Sequence, residues 1–223
     1  MSLRRALFVA FSIIFYSSIL IGMCLIAGRW DLPFFWIVTG ALMAMGVVAC
    51  CTLDEDLLME RMNPPKGQNK DPLGITIISI LFFSQFILAA LDVGRWHVSD
   101  SVPIFLQIIA VVFTLIGWLG LYWAIYTNRF FSSAIRMQPD RGQFVISSGP
   151  YTLVRHPGYA FGSIGLLAQG FAFGSYMCVI PMIGLVGYLA HRTNLEEKML
   201  AQDLPGYREY SEKVRFRWIP GVW

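Results

Sequence analysis

Long apolar runs constrain this chain more than anything else in it. Residues 6–27, 33–53, 73–91 and 103–127 are almost free of charge. Each is close to the roughly 20 residues a helix needs to cross a hydrocarbon core of about 30 Å. A fifth apolar stretch, 159–190, is too long for one span. Gly174-Ser175 divides it into two shorter helices, 157–173 and 176–191, which read as a tight hairpin. A single kinked helix there would leave five spans. Composition points the same way: 56% of the 223 residues are hydrophobic and 14% charged, against about 25% charged in a typical soluble domain. The 31 charges cluster in a few segments and cannot clothe a polar exterior. An ordinary soluble domain, a disordered chain and a disulfide scaffold are excluded. The net charge of +3 gives no reason to expect a nucleic-acid partner. The fold class expected is all-α, a polytopic membrane bundle of about six transmembrane helices, forming one membrane domain over 1–223.

The placement of basic residues sets the orientation, because cytoplasmic loops are enriched in Lys and Arg. Six spans with the N-terminus inside put segments 1–5, 54–72, 128–158 and 191–223 in the cytoplasm. These hold 2, 3, 4 and 6 basic residues, or 15 of the 17, leaving Arg29 and Arg95 outside. Five spans would put the six basic residues of the tail on the wrong side. Both termini are therefore expected to be cytoplasmic, in a bacterial inner membrane or an endoplasmic reticulum according to source. Trp30 and Trp96 fall in the short outer loops, at the level of an aromatic belt. The first run is too long for a signal peptide's apolar region and has no A-x-A-like site after it, so it reads as a retained helix. Cys24, Cys50, Cys51 and Cys178 lie in apolar segments without metal-ligand spacing and read as small buried hydrophobes.

Three polar elements share the cytoplasmic side. The 128–158 segment is long for a connection. It carries Gln143-Phe144-Val145-Ile146, Ser148-Gly149-Pro150-Tyr151 and Arg155-His156-Pro157-Gly158-Tyr159. Pro157 suits the first turn of a helix and biases His156 away from helical backbone. His156 is thus expected just before a helix N-terminus, where anionic groups are favoured; headgroup anchoring is the plainer alternative. In the tail, Arg192 and Glu196 are four apart and share a helix face. They leave the last span together, where an ion is costly unless paired or hydrated. Tyr207, Tyr210, Phe216 and Trp218 are expected on the membrane surface or against the bundle, rather than in a cofactor box. The 54–72 segment carries Glu60-Arg61-Met62-Asn63-Pro64-Pro65-Lys66, preceded by Asp54-Glu55-Asp56, which reads as a solvated helix end and not a metal site. Gly158-x-x-x-Gly162 and Gly170-x-x-x-Gly174 read as helix-packing positions. There is no Rossmann, Walker, H-E-x-x-H or G-x-S-x-G motif. The spans carry no charge, which argues against an ion pathway.

These segments together resemble the isoprenylcysteine carboxyl methyltransferase family, related to membrane phospholipid methyltransferases. Arg155-His-Pro-Gly-Tyr159 is the most specific block. Arg192 with Glu196-Glu197, Gly206-Tyr207, Tyr210 and Trp218-Ile-Pro220 is the second, and the 60–66 loop looks like bacterial members. The resemblance implies a membrane bundle capped by a cytoplasmic S-adenosylmethionine pocket. It would place Gln143, Phe144, Val145, Ile146, Tyr151, His156, Pro157, Gly158, Tyr159 and Glu196 around that cofactor, and Arg192 as the catalytic residue orienting the nucleophile. Arg136 aligns loosely with another cofactor contact. The substrate would be apolar or lipidated and enter from the bilayer. A carboxylate target needs no general base, whereas an amine would need one, for which Glu197 is a candidate. The alternatives are a nicotinamide-dependent reductase of the sterol-reductase type and a non-catalytic assembly protein of the same fold.

Overall fold

A computed structural model describes residues 2–65 and 69–223; Lys66 lies outside the described residues. The described chain is helical, with no strand among these residues. Helix α1 (Leu3–Ala27) begins at Ser2, whose Oγ accepts from the Arg5 N–H, and ends at Gly28 in the left-handed region at φ +75°. Helix α2 (Pro33–Thr52) starts on a proline and returns antiparallel, and the short α3 (Glu55–Met62) follows it. Helix α4 (Gly74–Leu91) runs on into a π-helical turn, Asp92–Trp96. Helix α5 (Ile104–Thr127) precedes the long irregular segment, and α6 (Pro157–Ala172), α7 (Val179–Asp203) and α8 (Tyr207–Lys213) complete the chain.

Four helices are long and apolar enough to cross a membrane: α1, α2, α4 with its π turn, and α5, at mean hydropathy 2.1–2.4. They make this an integral membrane protein. Leu7, Ile14, Ile80, Phe105 and Leu119 stand outward from them, where only lipid is a good solvent. Trp30 and Trp96 are about half exposed, in the turns after α1 and α4. The last apolar stretch does split near Gly174, which adopts φ +79°. The second half starts three residues later than the sequence expectation, and the helix face expected for Arg192 and Glu196 is continuous with it. It starts at Val179 and continues without a break through Arg192 and Glu196 to Asp203, so one rigid element joins the apolar region to the polar tail. At 16 residues, α6 is about 24 Å long, shorter than the hydrocarbon core.

Glycine sets the tightest helix contact. A Cβ on Gly117 of α5 would collide with the backbone of Gly165 in α6, and one on Gly120 with the Phe161 ring. The anticipated glycine pairs act differently. Gly158 lies under Phe131, Gly162 faces Leu121 at ordinary contact distance, Gly170 abuts the α6–α7 turn, and Gly174 lies beyond the helix. The packing interpretation holds, but it rests on Gly117 and Gly165. On the side opposite the polar elements, buried Asp92 accepts hydrogen bonds from the Val98 and Ser99 N–H groups and from the Ser99 and Ser175 hydroxyls. This ties the turn after α4 to the hairpin turn. Of the cysteines, Cys24 and Cys178 are buried, while Cys51 is exposed.

Candidate functional site

Pro157 occupies the first turn of α6, and His156 precedes it with non-helical backbone, as the sequence implies. The tail then wraps back onto this junction. Arg155 N–H donates to Phe216 O and His156 N–H to Arg217 O, both at 2.9 Å. The Arg155 guanidinium donates to both oxygens of Glu197 at 2.8 Å and to the carbonyls of Val214 and Arg215. Glu197 is the centre of this knot. It also accepts from His156 Nε2 at 2.7 Å and from the Tyr207 hydroxyl at 2.6 Å, and Arg217 stands 3.5 Å away. Burial alone would raise the Glu197 carboxyl, but His156, Arg155 and Tyr207 outweigh it and hold it well below the usual carboxylate range. Burial and then the Glu197 charge push the Tyr207 phenol up.

A cavity of about 260 Å³ opens beside this knot. It gathers Gln143, Phe144, Val145, Ile146, Tyr151, His156, Gly158, Tyr159, Arg192 and Glu196. Of the residues expected at the site, Pro157 alone is missing from the wall; its part is to start α6. The wall also contains residues the sequence did not single out for this role, including Arg61, Asn128, Phe130 and Phe131. Tyr207 and Tyr210 join them, so these rings belong to the cavity and not to a membrane-surface layer. The Tyr210 hydroxyl donates to Tyr151 O at 2.7 Å, and Asn128 Nδ2 to the Tyr151 hydroxyl at 3.2 Å. Burial pushes the phenols of Tyr151 and Tyr210 up, so both stay neutral at physiological pH.

The polar groups divide into those already committed and those open to a ligand. Glu196 has His156 Nδ1 at 3.8 Å, beyond hydrogen-bond range, interacts with the Tyr159 hydroxyl and lines the cavity. Among the described residues, no loop hydrogen bond engages the backbone N–H groups of Phe144, Val145 or Ile146, which follow one another in irregular extended chain. Phe130 and Phe144 meet edge to face at 5.2 Å, and His156 stacks on Tyr159 at 5.8 Å. An open carboxylate, free backbone donors and aromatic walls form a donor set suited to a cationic, heteroaromatic small molecule. Arg192 is 2% exposed. Its Nη2 donates to Ser133 O at 2.9 Å and its Nη1 lies 3.6 Å from Asp71. Its Nε and Nη1 have no hydrogen-bond partner, so the group keeps donors for a ligand. Asp71 is itself held by the Tyr188 hydroxyl at 2.8 Å.

Two other residues raised by the sequence have structural work. Arg136 is buried and pairs with Glu60 at 2.7 Å and Asp140 at 3.0 Å, away from the cavity wall. Hydrogen bonding to Glu60 outweighs burial and pushes the Arg136 guanidinium up. Glu197 is saturated with donors and lies outside the wall, which does not suit it to remove a proton. The acidic triplet lies at the start of α3: Asp56 pairs with Arg141 at 2.6 Å, and Ser2 bonds to Glu55. No metal-holding cluster occurs among the described residues.

Residues 108–202, which include α6 and nearly all of α7, match the sequence model of the Isoprenylcysteine carboxyl methyltransferase (ICMT) family. The chain is 27% identical over 133 residues to the Cobalt-zinc-cadmium resistance protein CzcN of Cupriavidus metallidurans. That alignment covers 58% of this chain and 56% of the relative, little more than half its length. It is also 27% identical over 154 residues to the Probable protein-S-isoprenylcysteine O-methyltransferase of Oryza sativa, covering 63% of this chain and 78% of that protein.

Proposed function

From a membrane chain that is ICMT-like over residues 108–202, we propose an S-adenosylmethionine-dependent methyltransferase acting on a membrane-embedded or lipidated carboxylate. One observation carries this reading. The two sequence blocks, far apart in the chain, line a single cavity where apolar helices meet polar segments. A water-soluble cofactor and a lipid-borne substrate can meet there. The donor set fits the cofactor: Glu196 is open to its ammonium group, the 144–146 N–H groups to its polar edge, and the aromatic walls to its base. When bound, S-adenosylmethionine supplies a sulfonium methyl that a carboxylate oxygen takes by displacement, a C–O bond forming as the C–S bond breaks.

The chain's own residues then have little proton chemistry to do. A carboxylate is ionised at neutral pH and needs no general base, which agrees with Glu197 being spent on Arg155, His156 and Tyr207. Catalysis is chiefly alignment. Arg192, braced by Asp71 and Ser133 O, orients the carboxylate without neutralising it fully. The knot around Glu197 keeps the tail over the cavity and limits water. Under this reading the bundle crosses the membrane six times, with α6 and α7 as the last pair and both termini cytoplasmic.

Titration of detergent-solubilised protein with labelled S-adenosylmethionine tests the proposal. Saturable binding is expected. Glu196→Ala should weaken it about ten-fold or more, the loss of one charge-assisted contact. Arg192→Ala should leave cofactor affinity within about two-fold and abolish turnover. Saturable binding of a nicotinamide dinucleotide without binding of S-adenosylmethionine would overturn the reading in favour of a reductase.

A further inference from the structure

A second cavity, about 390 Å³, lies between α1, α2 and α5 and is lined almost wholly by apolar groups, among them Phe8, Phe15, Leu42, Ala49 and Trp118. Arg61, at the end of α3, lines both this cavity and the polar one. That position is unusual for a guanidinium. Among the described residues Arg61 forms no ion pair; its attractive contact is the Phe131 ring, 5.0 Å from its carbon centre. The neighbouring anchors all act on backbone or on other residues. Ser133 Oγ donates to the Arg61 carbonyl at 2.8 Å, and Glu60 is consumed by Arg136 and Ser132. So α3 is pinned on both sides while the Arg61 charge is left without a counter-ion. Desolvation by the groups packed around it lowers its guanidinium to about 10, still cationic at neutral pH. Arg61 is part-exposed where the two cavities meet, so its charge is within reach of a ligand, and a bound anion would supply the counter-ion it lacks.

We infer that Arg61 binds the anionic head of a single-chain carboxylate amphiphile whose apolar tail occupies the α1–α2–α5 cavity. The inference deepens the proposed function: it names a residue and a route for the substrate, which arrives from the bilayer side of α1 and α2. The two guanidiniums have separate tasks. Arg61 recognises the head at the cavity junction, and Arg192 orients it toward the cofactor. Neutral amphiphiles of the same length are discriminated against, because they leave Arg61 unpaired.

Tryptophan quenching tests this. The probes are 9,10-dibromostearate and its methyl ester, added to protein in phosphatidylcholine nanodiscs at mildly alkaline pH. Trp118 lines the tail cavity, so the Trp118→Phe variant defines the signal that comes from it. Saturable, Trp118-dependent quenching by the carboxylate is expected, with the ester about ten-fold weaker or worse. Arg61→Gln should bring the carboxylate down to the ester's level, and Arg61→Lys should restore part of the difference. Equal quenching by acid and ester in the unsubstituted protein would overturn the inference, as would a carboxylate affinity unchanged in Arg61→Gln. The readout needs no turnover. Failure of the methyltransferase reading, seen as absent S-adenosylmethionine binding, is therefore distinct from failure of this one.

Discussion

Glu197 shows how a single residue can be decisive without touching a ligand. Its carboxylate collects Arg155, His156, Tyr207 and Arg217 into one ionic knot. Replacing it by Gln leaves a buried arginine without its counter-charge. We expect the apparent stability to fall by about 3 kcal/mol, read as the unfolding midpoint in detergent. The pH dependence has a definite sign. A carboxyl held below its ordinary 4.5 stabilises the fold above that pH, and the contribution is lost as the pH falls through the depressed value. The gap between the native protein and Glu197→Gln should therefore be constant from pH 8 to about 5 and close on further acidification. A gap independent of pH throughout would show that shape, not charge, holds the knot. At this scale the sequence was readable where a residue type and its local backbone suffice, as with His156 before Pro157. It was mute on Arg61, whose neighbours Phe131, Tyr151 and Tyr159 are all at least 70 residues away. For the same reason the sequence left open whether Tyr207 and Tyr210 lie on the membrane surface or against the bundle; the folded tail buries both against the bundle and on the cavity wall.

Helix identity was largely legible from hydropathy, and helix contacts were not. Apolar run length located α1, α2, α4 and α5 to within a few residues, because lipid imposes length directly. The α5–α6 contact depends on Gly117 and Gly165 facing each other, a pairing that regular glycine spacing within α6 alone does not reveal. A side chain at Gly117 would strike backbone, which cannot swing aside as a side chain can. Gly117→Val should therefore separate α5 from α6 and open the cavity they support. Gly187→Val, where nothing lies within 4 Å, is the matched control. We expect the first variant to lose cofactor binding and the second to keep it within about two-fold. Comparable binding in both would mean the contact is not needed to shape the site. The helical continuation past residue 191 was legible from Arg192 and Glu196 sharing a face, whereas the run on to Asp203 was not.

For the whole molecule, the distribution of basic residues gave an orientation, and the cavity gives that orientation a purpose. Every segment lining the polar cavity belongs to the side predicted to be cytoplasmic or to the adjoining helix ends. A reporter fused after Trp223 should read cytoplasmic and one in the loop near Trp96 exterior; an exterior signal from both would rule out six spans. The far side is fastened by Asp92 to Ser175 of the hairpin turn and to Ser99 of the α4–α5 connection, so α6 and α7 are held at both ends. This has a consequence for α7. A helix fixed at both ends cannot slide, and its rise of about 1.5 Å per residue becomes a scale. Arg192 and Glu196, four residues apart, stand about 6 Å from each other along that scale. Under the proposed function this makes the protein a depth gauge, expected to accept a reactive group carried at one height above the bilayer midplane and to pass over the same chemistry presented higher or lower.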